Sequence, residues 1–234
     1  MIPHQNGRLN DVKRFALILA LTAAASASGF AQEILTADLF MRQLSARYSE
    51  IKDYEAELVV TTERQTMKGV VAYKAPTLMR VDFSEPAEQV IVYNGTMLTV
   101  YVPELRAKLT QQTGTTNATA AASGEGLRML TRSYSAVYES GPIPTPLPDS
   151  EMEMVIRLVL SRLTVAEGFR TITLSVDPEA MLIRRMEGVT LAGDLITYDY
   201  LNTRVNQGIN DMRFLYDSPA SANTYNNFLF STEN

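Results

Sequence analysis

Residues 53–60 read DYEAELVV, and residues 67–103 read MKGVVAYKAPTLMRVDFSEPAEQVIVYNGTMLTVYVP. Tyr54, Ala56, Leu58 and Val60 alternate with Glu55, Glu57, Val59 and Thr61. Val71 and Tyr73 alternate with Ala72 and Lys74, and Met79, Val81 and Phe83 with Leu78, Arg80 and Asp82. A period of two belongs to β-strands, and here it predicts strands with one apolar and one wet face. Pro76 and Pro86 fall at strand boundaries, where a missing N–H does no harm. Asn94-Gly95 is a two-residue hairpin signal. It predicts that Val90–Tyr93 pairs with Thr96–Val102, with Leu98, Val100 and Val102 on one face.

Upstream, Ala37, Phe40, Met41, Leu44 and Tyr48 recur near helical spacing, continued by Ile51, and Thr36 can cap them. This predicts a helix over Leu35–Tyr48. Downstream, Thr113–Gly124 is small and low in complexity, and reads as a mobile loop carrying a short glycosylation pattern at Asn117–Thr119. A second helix is expected over Gly126–Tyr134, with Leu127 and Leu130 on one face. The proline-rich stretch from Gly141 to Pro148 reads as extended and irregular. Strands follow over Met154–Leu163, around Ile172, Leu174 and Val176, over Met181–Glu187 and over Leu195–Leu201, punctuated by Asp177-Pro178 and Gly193-Asp194. Phe214–Tyr216 is expected to be a last short strand and residues 218–234 a polar, frayed tail.

A helix, a run of hairpins, a helix and more hairpins give a mainly β fold: one curved antiparallel sheet over residues 54–216 with a few helices on one face. Pleat alternation places Leu58, Val71, Met79, Val81, Phe83, Leu98, Val100, Ile172, Leu174 and Tyr198 on the concave side.

Arg8, Lys13 and Arg14 precede the apolar run FALILALTAAA and the small residues SASGFA, the order of a cleaved signal peptide. Residues 1–31 are read as that leader, cut after Ala31. As a membrane anchor the second half of the run is too weakly apolar. The whole chain has 234 residues, 21 basic, 26 acidic and one His, at net charge −5. Loss of Arg8, Lys13, Arg14, Asp11 and His4 would leave a mature chain at net −7 with no His and no Cys. That excludes Ser-His-Asp and Cys-His catalysis, zinc held by His or Cys, disulfides and a lipid-attachment cysteine. The acidic balance argues against a nucleic-acid partner. A soluble, monomeric protein in the periplasm is the expectation.

Carboxylates remain as candidate catalysts. Asp149, Glu151 and Glu153 are the densest cluster, but the chain has no Trp to stack a sugar, and strand-face carboxylates such as Glu55 and Glu57 are ordinarily solvated. No enzyme is expected, and no cofactor or metal. The apolar surplus is the stronger signal: two short helices are few for so wide an apolar face. Composition favours a packed core over a ligand cavity, although methionines such as Met79 and Met186 suit an adaptable site.

The stretch from Tyr54 to Pro103 resembles the periplasmic outer-membrane lipoprotein carrier family of the LolA type. Gly69 before VVAYK, Pro76, the run RVDF, Pro86 and the Asn94-Gly95 hairpin ending in Y-x-P stand in that family's order. DPEAMLIRRMEG and DLITYDYLNTRVNQGINDMRFLY resemble its C-terminal strands, including Asn202, Asn206 and Phe214, so that the likeness covers residues 35–217. The resemblance implies an unclosed β-barrel with a helical lid over an apolar cavity, formed as one domain over residues 32–217. It implies a carrier that takes acylated lipoproteins from an inner-membrane releasing transporter to an outer-membrane acceptor. Phe40, Leu44 and Tyr48 of the first helix would plug the empty cavity. Members commonly carry an Arg just before the strand-boundary proline, tying the lid to the barrel. Ala75 stands there in this chain, with Lys74 beside it as a candidate lid latch. A regulatory binding protein of the same fold, sensing envelope stress, is the alternative.

Overall fold

The structure, a computed structural model, describes residues 35–112, 123–164 and 168–227. The expected leader, the loop over 113–122 with its glycosylation pattern and the last seven residues lie outside the described residues. Helix α1 spans Ala37–Glu50 and α2 spans Gly124–Ser133. Thirteen strands accompany them: β1 Asp53–Thr61, β2 Thr66–Lys74, β3 Leu78–Glu85, β4 Val90–Tyr93, β5 Met97–Val102, β6 Ala107–Gln112 and β7 Tyr134–Tyr138. Then come β8 Thr145–Pro146, β9 Met154–Arg162, β10 Phe169–Asp177, β11 Leu182–Thr190, β12 Leu195–Val205 and β13 Asn223–Asn226.

The order across the sheet is β13-β6-β5-β4-β3-β2-β1-β12-β11-β10-β9-β7, with β8 also paired to β9. The edge strands do not meet, so the barrel is unclosed. Two runs of hairpins are joined where β1 lies antiparallel to β12, pairing Leu58 with Tyr200 and Val60 with Tyr198. Register then carries one face across the sheet. Val71 opposes Val81, Val81 opposes Ile91 and Ile91 opposes Val100. On the other side Tyr198 opposes Met186, Met186 opposes Leu174 and Leu174 opposes Leu158. Because directly opposed residues share a face, all ten strand alternates expected together are together.

Both helices begin as their sequences dictate. The Thr36 hydroxyl accepts the Leu39 N–H at 3.2 Å, and the Ser123 hydroxyl accepts the Gly126 N–H at 3.1 Å. The two helices pack closely at Gly124, where an added Cβ would lie 2.2 Å from the Ser49 hydroxyl and 2.7 Å from the Ser49 backbone nitrogen. Gly69 is equally constrained at the β2–β3 bulge, since its Cβ would meet the Asp82 carbonyl oxygen at 2.3 Å.

Several expectations are corrected. The Asn94-Gly95 hairpin forms, but Tyr93 pairs with Leu98, and β5 begins at Met97. The Asn94 side chain explains the shift: its Oδ1 accepts the Thr96 and Met97 N–H groups at 3.1 and 2.9 Å, which makes Asn94 a flank of the turn. The sheet is not wholly antiparallel or confined to 54–216, because β13, in the expected frayed tail, runs parallel to β6. The Phe214–Tyr216 region is not a strand. Asp211–Phe214 is a 3-10 turn that buries Phe214.

The outer face of β3–β6 is not wet either. Val90, Val92 and Tyr101 are buried there, and Tyr216 lies against Tyr101 with ring centres 6.2 Å apart. Arg80 sits over the Tyr216 ring at 5.5 Å, grips Asp82, and donates to the carbonyls of Arg213 and Leu215 at 3.1 and 2.9 Å. A polar strand face is thus converted by one arginine into a seat for the C-terminal segment.

Gly124→Ala tests the helix contact. The new methyl meets Ser49 backbone, which cannot swing aside as a side chain could, so unfolding stability should fall by about 2 kcal/mol. The urea midpoint measures the effect, and an unchanged midpoint would show that the helices separate without cost.

Candidate functional site

The helix-covered face is built from α1 outward. Phe40, Met41, Leu44 and Tyr48 form one stripe at helical spacing and are all buried. Phe40 meets Tyr138 edge-on at 6.2 Å. Polar contacts tie the helix to the sheet at both ends. The Tyr138 hydroxyl donates to the Thr36 carbonyl at 3.3 Å, Arg47 Nε donates to the Ala180 carbonyl at 3.3 Å, and the Tyr48 hydroxyl accepts the Ile183 N–H at 3.0 Å.

The exit of α1 is fixed more firmly still. Asp53, at 3% exposure, accepts backbone N–H groups from Gln207, Gly208 and Ile209 at 2.7, 3.0 and 3.3 Å. Next to it the Asn206 side chain accepts the Lys52 N–H at 2.8 Å, while Ala75 N–H bonds the Lys52 carbonyl at 2.8 Å. Asn206 has φ 57°, in the left-handed region that Asn enters more readily than bulkier residues. A buried carboxylate therefore holds the pivot of the helix against the start of the C-terminal segment.

Of the residues singled out from the sequence, Phe40, Leu44, Tyr48, Leu58, Val71, Val81, Phe83, Ile172 and Leu174 belong to one buried cluster. Met79 and Tyr198 pack against it partly buried. Leu98 and Val100 share the face but stand outside the cluster, because they lie on β5, toward the edge of the sheet and away from α1 and α2. Tyr54, Tyr73, Tyr134 and Tyr200 are not among the expected cavity residues, yet their rings supply much of the wall. Tyr54 and Tyr73 lie 5.3 Å apart, and both fall on the apolar parity expected from the alternation of their strands.

Little space is left between α1 and the sheet among the described residues. Under α1, the enclosed space lined by Tyr48, Tyr54, Leu182, Ile183, Tyr200 and Thr203 is about 10 Å³, room for one water at most. Burial pushes the Tyr48 phenol up to about 12 and raises those of Tyr54 and Tyr200 as well. These hydroxyls stay protonated and neutral in an apolar setting.

Lys74, the candidate lid latch, has its partners on the C-terminal segment. It donates to the Ile209 carbonyl at 2.7 Å and pairs with Asp211 at 2.5 Å. In the acidic cluster, Asp149 pairs with Arg185 at 3.6 Å and Glu153 with Arg184 at 2.5 Å. These carboxylates pin the proline-rich loop to the outer face of β11.

A largely antiparallel open sheet whose apolar face is covered by helices defines the class of half-barrel folds. Within that class the sequence matches the family described as outer membrane lipoprotein carrier protein LolA over residues 56–217, and the chain belongs to that family. No curated protein matches by sequence. Among solved structures, an uncharacterized conserved protein from Thermus thermophilus is similar in fold, with TM-score 0.53 and 12% identity over 79% of this chain and 98% of that one. The Pseudomonas aeruginosa MucA/MucB complex matches at TM-score 0.48 and 9% identity, covering 77% of this chain and 61% of that chain. A LolA superfamily protein from Nitrosomonas europaea matches at TM-score 0.39 and 13% identity, covering 77% and 98%.

The Tyr48 phenol should make stability fall in alkali. Its contribution is complete below pH 10, where folded and unfolded chains both keep the proton, and is lost between pH 10 and about 12 as only the unfolded chain ionises. Tyr48→Phe should flatten the fall of the urea midpoint across that window. At neutral pH it should cost about 1 to 2 kcal/mol, because the Ile183 N–H loses its acceptor.

Proposed function

We propose that this chain is a non-enzymatic periplasmic carrier that binds the acyl chains of lipoproteins beneath α1 and moves them from the inner to the outer membrane. A releasing transporter of the inner membrane loads it and an outer-membrane acceptor unloads it. The observation that carries the reading is the stripe of Phe40, Met41, Leu44 and Tyr48 seated on the apolar face of an unclosed sheet. An open apolar face of this size would otherwise meet water. Family membership supports the cargo class.

The energetics suit exchange rather than permanent burial. Withdrawing four large side chains from the sheet costs about 8 kcal/mol, at about 2 kcal/mol each. About ten acyl methylenes, at about 0.8 kcal/mol each, offset that when they take the vacated face. A lipoprotein carries enough methylenes to displace the helix, yet the helix competes well enough to expel the cargo at an acceptor. Tyrosine rings and Met41, Met79 and Met186 give the wall an adaptable apolar lining whose few polar groups can be left paired.

Leu44→Glu separates the two states. A carboxylate at this fully buried position takes away the hold of α1 on the sheet and with it the competition for the apolar face, so a fluorescent fatty acid should bind more tightly and more lipid should co-purify on mass spectrometry, while the far-ultraviolet signature of the sheet persists. Lys74→Ala should leave both readouts unchanged and cost about 1 kcal/mol of stability, since its partners lie on the C-terminal segment. Acyl binding at the original strength in Leu44→Glu would sink the carrier reading.

A further inference from the structure

The rim of the sheet away from the exit of α1 carries a patch that the carrier reading leaves unused. Leu163, Leu191 and Leu195 are 60%, 48% and 44% exposed. They belong to neighbouring strand ends, so they form one patch. The Leu163 N–H bonds the Ser133 carbonyl at the end of α2, Phe169 opposes Thr190, Arg170 donates to the Leu191 carbonyl at 3.0 Å, and Val189 opposes Leu195. The apolar character continues inward, because Phe169 lies on Gly188 and packs with Met67 and Ile196 against the buried cluster.

The charges around these leucines are mostly basic, with Glu63 and Asp194 the acidic exceptions among the described residues. Arg132 precedes Ser133, Arg162 precedes Leu163, Arg170 follows Phe169, and Arg64 sits in the β1–β2 turn beside the start of β12. None of the four makes an ion pair among the described residues, whereas Arg184 and Arg185 on the outer face are both paired. At the opposite rim the exposed Met152 and Met154 stand among Glu151, Glu153 and Glu179. Two apolar rims thus carry opposite charge, on a chain whose net charge is −5.

Resting on the carrier reading, we infer that the Leu163–Leu191–Leu195 rim docks on a phospholipid bilayer bearing anionic headgroups. The arginines meet the headgroups, the leucines enter the interface, and an acyl chain passes between the bilayer and the helix-covered face along Met67, Phe169 and Ile196. Exposed leucines with arginines free of ion pairs among the described residues fit an interface of apolar tails under anionic heads, and the acidic rim does not.

The test is co-sedimentation of the full chain with vesicles of phosphatidylethanolamine and phosphatidylglycerol, against vesicles of phosphatidylcholine alone. The wild type should bind the anionic vesicles, more weakly as salt rises. Arg64→Ala and Arg132→Ala should each weaken binding about fivefold. The triple change Leu163→Ser, Leu191→Ser and Leu195→Ser should weaken it more than tenfold in all salts. These side chains are exposed, so fatty-acid binding in vesicle-free solution should survive. Equal binding to both vesicle types, or rim variants that sediment like the wild type, would overturn the docking surface. That outcome leaves the carrier reading intact if fatty acid still binds. Loss of fatty-acid binding in the wild type would strike the carrier reading alone.

Discussion

A strand pleat that keeps one parity apolar from strand to strand across an open sheet leaves the protein with a face it cannot hide by closing that sheet. Among the described residues, two helices of 14 and 10 residues have to hide it. The polar ties of α1 follow from that need: they place a short helix where its stripe covers the strands on either side of the β1–β12 junction. Strands farther out, toward β5 and β6, keep their apolar residues half exposed because the helices do not reach them.

The outer face answers a different problem. In the C-terminal half it is held by crossed ion pairs among Arg184, Arg185, Asp199 and Glu153, and Arg157 spans Glu139 and Glu187. In the N-terminal half the chain's own last segment lies over it, seated by Arg80 and Phe214. A polar parity in the sequence of those strands therefore no longer means exposure to water.

That difference decides what was legible in the residues. Local period was enough for α1, for β1 to β3 and for the common face, because each rests on side-chain direction alone. The β4–β5 turn was placed correctly and phased wrongly, since the competing Asn94 side-chain bonds are invisible in a dipeptide rule. The C-terminal strand was missed because Asn223–Asn226 has no apolar alternation: it is an edge strand, held by backbone bonds to β6 and by Thr110 donating to Asn226 at 2.6 Å. Lys74 was judged by its neighbour in sequence, whereas its partners are 135 and 137 positions away. The candidate site as read from the sequence comprises strand residues, mostly aliphatic but including Met79, Phe83 and Tyr198, and three helix residues. Tyr48 and Tyr198 are in it, but Tyr54, Tyr73, Tyr134 and Tyr200 are not, because a phenol looks amphipathic until its surroundings are seen.

The Asp53 clamp has a consequence for how the chain is made. Its carboxylate and the amides it holds are more than 150 residues apart. A ribosome releases Asp53 long before Gly208 exists, so β1 waits for β12 through most of synthesis with its apolar edge and its buried-to-be carboxylate both unprotected. Loop closure over that length is slow, and the nascent chain is the species most exposed to misassociation. The helix can take its seat only after nearly the whole polypeptide has emerged, which makes the stoppered state the last part of the molecule to be completed.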